Sequence, residues 1–209
     1  MRSGAATALS DAAEDHPEHV RVETYALLAS LLRQAPDSDL LSALAQTCPQ
    51  DVPSLRPTAL ELGWQALGQA ARSADPDRLE TEFHQLFVGL GRGELLPYGS
   101  WYITGFLMDK PLASLRDELA RLGLARAEGV PESEDHAAAI CETMALLADP
   151  DDGISLAEQK TFFSTYAGGW LPRFFKDLQG AKNADFYVSV GQLGEAFIEF
   201  DKVWLDLPE

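Results

Sequence analysis

The chain has 209 residues, 46% of them apolar, enough to fold as one domain around a core, so disorder is not the default expectation. Its 33 Asp and Glu against 16 Lys and Arg give a formal charge of −17, which disfavours nucleic acid and anionic membrane as partners and favours a cationic one. Two cysteines, Cys48 and Cys141, without a CxxC pair exclude a disulfide framework and the usual zinc patterns, which fits a reducing compartment. No run approaches the roughly 18 apolar residues of a spanning helix, and Asp11, Glu14 and Asp15 interrupt any signal-peptide core. These features predict a cytoplasmic protein without stable membrane insertion.

Helical spacing of apolar residues runs through nearly the whole chain, while sustained strand-type alternation is missing. The expected fold class is all-α: a single-domain bundle of about ten helices over residues 17–209, preceded by a flexible segment, 1–16. Pro17 opens a helix carrying Leu27, Leu28, Leu31 and Leu32, and Ser38 is placed to cap a second. Pro57 is read as the start of a third, with Leu60, Trp64, Leu67 and Ala71 on one face. Asp75 and Pro76 read as N-cap and first residue of a helix with Phe83, Leu86, Phe87 and Leu90 on one stripe, ending at the glycines of GLGRG.

A helix from about Pro111 carries Leu112, Leu115, Leu119 and Leu122 and stops at Gly123. Another is expected over residues 133–148, placing Asp135 and His136 in its first turn and His136 in line with Ile140, Thr143, Met144 and Leu147. Ser155 and Glu158 form a capping-box pattern, and a last long helix over residues 184–205 carries Leu193, Phe197, Phe200 and Trp204. No internal repeat is visible, which leaves solenoid folds unsupported.

The chemistry-bearing motifs are few. GLGRGE lacks the strand and the full glycine pattern of a phosphate loop and reads as a helix stop. None of His16, His19, His84 and His136 has a Glu three residues before it, so a dimetal carboxylate site is not expected, nor any other metal or cofactor. His16 and His19 read as solvated residues of the acidic N-terminus, and His84 as a surface or boundary residue. Asp135 beside His136 allows a general base, and a small hydrolase or nucleotide-using enzyme built on this pair is the alternative function, but no nucleophile or oxyanion loop accompanies it. An acidic helical scaffold without a groove is a third.

Four ordered motifs carry a resemblance. EFHQLFVGLG holds Leu86, Phe87 and Gly89; then come Pro97, Ser100 and Tyr102 in a Pro-x-x-Ser-x-Tyr run that includes Trp101. Leu107, Met108, Pro111, Leu115, Arg116, Gly123 and Leu124 follow in spacing, and PESEDHAAAICETM holds Pro131, Glu132, Asp135, His136, Glu142 and Met144. In this order they resemble the TorD/DmsD/NarJ family of redox-enzyme maturation chaperones, with departures at Ala137 and Tyr166. The resemblance implies an all-helical cytoplasmic chaperone, not an enzyme. Its partner would be the apo catalytic subunit of a molybdenum-cofactor oxidoreductase and that subunit's twin-arginine leader, held until cofactor insertion. The peptide-binding residues it implies are Leu86, Phe87, Pro97, Ser100, Trp101, Tyr102, Glu132, Asp135, His136 and Glu142.

Those residues suit the role. Two guanidinium groups ahead of an apolar segment call for carboxylates (Glu132, Glu134, Asp135, Glu142) beside an apolar groove, which Phe87, Trp101, Tyr102, Phe106, Leu107 and Met108 are able to line. The competing expectation for Leu107, Met108 and Leu115 is the core, since apolar residues at helical spacing normally face inward. Long helices on loops such as LADPDDGIS are compatible with a monomer or a domain-swapped dimer.

Overall fold

The structure, a computed structural model, describes residues 17–51, 55–89, 92–126 and 132–207. The expected flexible segment 1–16, His16, Leu90 and Pro131 lie outside the described residues. Ten α-helices follow one another: α1 Pro17–Arg33, α2 Ser38–Thr47, α3 Ala59–Ser73, α4 Pro76–Phe83, α5 Gly99–Thr104, α6 Lys110–Arg121, α7 Ala137–Ala148, α8 Leu156–Phe162, α9 Leu171–Gln179 and α10 Phe186–Leu205. Wider π-helical turns extend α4 over His84–Val88 and α8 over Phe163–Ala167. No strand occurs among the described residues.

Local chemistry sets most helix starts. Asp37, not Ser38, caps α2, its carboxylate accepting the Leu40 N–H. Thr58 and Glu61 form a reciprocal capping box that starts α3 two residues after Pro57. Asp75 and Pro76 open α4 as expected, and Ser155 accepts from the Glu158 N–H at the start of α8. The expected helix over residues 133–148 begins only at Ala137, because His136 is its N-cap and Asp135 precedes it. His19 sits exposed on α1 and not in a preceding segment, and His84 is exposed as expected. Helices α5 and α9 went unread in the sequence, since six and nine residues offer too little periodicity.

Helix α10 is the hub, packed between α3 and α9, with α1 lying along α7. Leu28, Leu31, Leu67, Met144, Phe174, Phe175, Leu193 and Phe197 fill the core between them. The expected apolar stripe on α10 divides: Leu193 and Phe197 are buried, whereas Phe200 is exposed. Within this core lies one ion pair, Arg21 with Asp201, both without solvent exposure. Arg21 also donates to Gln159 Oε1 at 2.8 Å and the Tyr25 hydroxyl donates to Asp201 Oδ2 at 2.7 Å, which ties α1, α8 and α10 together.

Removing one partner of such a pair strands a buried charge. Asp201→Ala is therefore expected to cost about 3–5 kcal/mol in urea unfolding, and the double variant Arg21→Met/Asp201→Leu to cost less than that single.

Candidate functional site: a cleft and an acidic pocket

The segment between α4 and α6 is folded back on itself. Gly89, at φ +63°, turns the chain where any Cβ would lie 2.0 Å from the Arg92 carbonyl oxygen. The returning segment is pinned where the Leu95 N–H donates to the Leu86 carbonyl at 2.9 Å. Tyr98 and His136 then form an isolated antiparallel bridge, with Gly99 N–H on the Asp135 carbonyl and Ala137 N–H on the Pro97 carbonyl, both 2.8 Å.

Helix α5 has no cap of its own, for the Tyr98 side chain makes no hydrogen bond to its first turn. Asp135 supplies one from 35 residues away, its Oδ2 accepting the Ser100 N–H at 2.9 Å while Oδ1 accepts from Ser133 Oγ. Ser100, wholly buried, in turn accepts the Met108 N–H on its Oγ at 3.2 Å. Asp135, Ser100 and Met108 thus form one relay that holds the far side of the loop. Gly105 ends α5 in the left-handed region at φ +80°, and Met108 follows at φ +57°, a conformation strained for a residue that carries a β-carbon.

That geometry points the loop's apolar side chains outward. Phe106 is 69% exposed, Leu107 46% and Met108 79%, so the expectation of core placement fails for Leu107 and Met108 and holds for Leu115, at 2%. The helical spacing that suggested burial is cut at Gly105. These side chains join Phe87, Val88, Leu96 and Trp101 around an open cleft of about 620 Å³. Arg92, Arg116 and Arg126 also line it, and the Arg92 guanidinium lies 5.4 Å from the Trp101 ring centre.

Beside the cleft is a smaller pocket of about 200 Å³, with apolar walls from Leu119, Leu124 and Leu146 and three carboxylates, Glu132, Glu134 and Glu142. Arg126 lines both spaces. Arg33 pairs with Glu142, and Arg116 donates twice to Glu134 Oε2, at 3.0 and 2.8 Å. Burial pulls the Glu134 pKa upward, but the hydrogen bonds and charge of Arg116 outweigh it and hold the carboxyl below its usual range.

The ten residues singled out from the sequence fall into three groups. Phe87 and Trp101 line the cleft, and Glu132 and Glu142 line the pocket. Leu86, Pro97, Ser100, Asp135 and His136 are buried beneath these surfaces. Tyr102 turns to the core instead, its ring against Trp170 and Phe174 and its hydroxyl on Asp177 Oδ2 at 3.0 Å. His136 accepts the Ala138 N–H on Nδ1 at 3.1 Å, and its burial pulls the imidazole pKa down to about 4, so it is neutral near pH 7. The arginines escaped notice as site residues: Arg92 lies in a run read only as a helix stop, and Arg126 carries no local signal at all. Among the described residues, no group of three or more His, Cys, Asp or Glu is arranged to hold a metal, and no helix is long and apolar enough to cross a membrane.

Comparison with known proteins places this geometry. The family model "Nitrate reductase delta subunit" matches residues 55–176, a stretch that contains the whole cleft and all of the pocket except Arg33. The chaperone protein TorD of Vibrio parahaemolyticus serotype O3:K6 is 29% identical over 137 residues, covering 61% of this chain and 64% of that protein. TorD of Vibrio cholerae serotype O1, strain N16961, is 31% identical over 137 residues, covering 61% and 62%. The match therefore spans less than two thirds of these relatives' length. A crystal structure described as a redox enzyme maturation protein, from Archaeoglobus fulgidus, superposes with a TM-score of 0.54 at 19% identity over 89% of this chain and 96% of that one, a likeness of fold. With more than half its length matched by the one family model and 61% of it aligned to TorD proteins, this chain belongs to the nitrate reductase delta subunit family and is TorD-like.

Proposed function

We propose that the chain is a cytoplasmic, system-specific chaperone that binds the twin-arginine leader, the apo form, or both, of a molybdenum-cofactor oxidoreductase and holds it for cofactor insertion before export or assembly. The observation that carries this reading is the juxtaposition of a three-carboxylate pocket with an exposed apolar cleft, both on the stretch matched by the family model. The leader's guanidinium groups meet Glu132, Glu134 and Glu142, and its apolar stretch lies over Phe87, Trp101, Phe106, Leu107 and Met108. Met and aromatic side chains repack around segments of varied sequence at little cost, which suits a peptide groove.

Asp135 and His136 act in this reading as positioning residues that hold the loop bearing the cleft. What favours binding over the hydrolase alternative is that both Asp135 oxygens and the His136 Nδ1 are engaged in hydrogen bonds within the chain. A general base needs its lone pair directed at a substrate, and Nδ1 here faces the backbone of α7. The names of the TorD relatives support the same choice.

The test is calorimetric titration of the purified protein with twin-arginine leaders of candidate molybdoenzymes, each beside its Lys-Lys version. Micromolar or tighter binding that weakens on Lys replacement is expected, and no binding to any leader overturns leader recognition and moves the question to pull-down of the intact apoenzyme.

Two further outcomes separate the surface from its support. Met108→Asn, which tolerates the left-handed backbone, is expected to keep or raise the melting temperature while weakening leader binding severalfold. For His136, the unfolded chain takes up a proton below pH about 6.5 and the native one only below about 4, so stability falls as pH drops through that window. The loss reaches about 3 kcal/mol at the low end and is absent from His136→Gln, as pH-dependent urea unfolding would register.

A further inference from the structure

The chain carries 33 acidic residues and 16 Lys and Arg, yet the described residues lining the apolar cleft include three arginines and no Asp or Glu. Arg116 is paired with Glu134. Arg126 donates to the Glu132 backbone carbonyl at 3.2 Å, and Arg92 is held by the Trp101 ring; among the described residues neither forms a salt bridge. Among the described residues, then, Arg92 has no carboxylate within salt-bridge distance, and Arg126, which borders the glutamate pocket and adds to the positive charge felt by Glu134, makes no direct ion pair either.

We propose that the cleft selects a client segment whose apolar stretch carries a carboxylate, seated against Arg92 and Arg126, so that the docking face reads charge of both signs along one peptide. This rests on the leader-binding reading above and specifies the partner of the same site. A wholly apolar segment laid over the cleft would cover Arg92 without a partner, and an unpaired charge taken out of water is costly. A carboxylate on the segment removes that cost. The Arg92 guanidinium lies over the Trp101 ring, and a guanidinium's planar fork of N–H donors suits a carboxylate bidentately. The neighbouring pocket, where Arg33 and Arg126 are joined by three glutamates, holds the carboxylates that the cleft lacks, so a peptide in reversed register would bring its carboxylate to the glutamates and its arginines to Arg92.

The probes are synthetic peptides with an Arg-Arg pair ahead of a Leu/Ala run, in which one Glu is moved through the run, with Gln and Lys versions at each position. They are titrated calorimetrically into the full-length protein. At the best position the Glu peptide is expected to bind about three- to fivefold tighter than its Gln version, the range of an exposed ion pair, and the Lys version more weakly than either. The advantage shrinks in high salt. In Arg92→Gln the Glu and Gln peptides converge, and in Arg92→Glu the order inverts in favour of Lys.

Equal binding of Glu and Gln peptides at every position overturns the proposal while leaving leader recognition standing, provided the Lys-Lys peptides still bind less. Equal binding together with displacement by millimolar pyrophosphate overturns it in favour of a small anion. Failure of all peptides to bind overturns both readings. Arg126→Gln, scored on the same Glu-to-Gln ratio, covers the case in which Arg92 variants disturb Trp101.

Discussion

A helix that begins inside a protein exposes N–H groups that must find an acceptor, and here buried carboxylates from distant parts of the chain supply it. Helix α10 has no side-chain cap from Asp185; instead Glu82, at the end of α4, accepts the N–H groups of Asp185 and Tyr187, both at 2.8 Å, and of Phe186 at 3.2 Å. Asp135 does the same for α5. Each carboxylate is stabilised by the positive end of the helix it serves, and each helix is fixed in place by the carboxylate's own element. The hub of the core and the loop of the cleft are therefore located by the same device, used twice.

This device explains which parts of the molecule were legible in the sequence. Caps made within four residues leave a local pattern: the boundaries at Asp75 with Pro76 and at Ser155 with Glu158 match the sequence expectation, and those at Asp37 and Thr58 lie within two residues of it. A cap supplied across 35 or 103 residues leaves none, so the sequence places Asp135 inside a first helical turn and does not mark Glu82 at all. The apolar period continuing backward through His136 made α7 seem to start early. His136 lies in line with Ile140 because a cap residue keeps the azimuth of the helix it opens, not because it belongs to it. The same limit applies to Leu107 and Met108, whose spacing matches a helix but whose backbone leaves one at Gly105.

The site follows from how charge is distributed over a short distance. The overall excess of acid suggested a cationic partner, and the pocket of Glu132, Glu134 and Glu142 agrees with that expectation. The adjoining cleft reverses the sign locally, which a net count conceals. Apolar side chains on a loop pinned by Ser100 and Asp135 add a surface that is exposed because its support is rigid, since the strained Met108 backbone survives only where hydrogen bonds over-determine it.

The pocket's carboxylates are not empty-handed. Arg33 sits on Glu142 and Arg116 on Glu134, each tethered to the chain at a high effective concentration. On the proposed reading, an arriving guanidinium displaces a resident one, exchanging one ion pair for another of similar energy, so arrival adds little from charge alone and the apolar cleft sets most of the affinity. Departure is equally undemanding, because the resident arginines close over the carboxylates as the guest leaves. On that same reading Arg33 and Arg116 are built-in competitors that favour turnover of guests over capture, as a guest held only until it moves on would require.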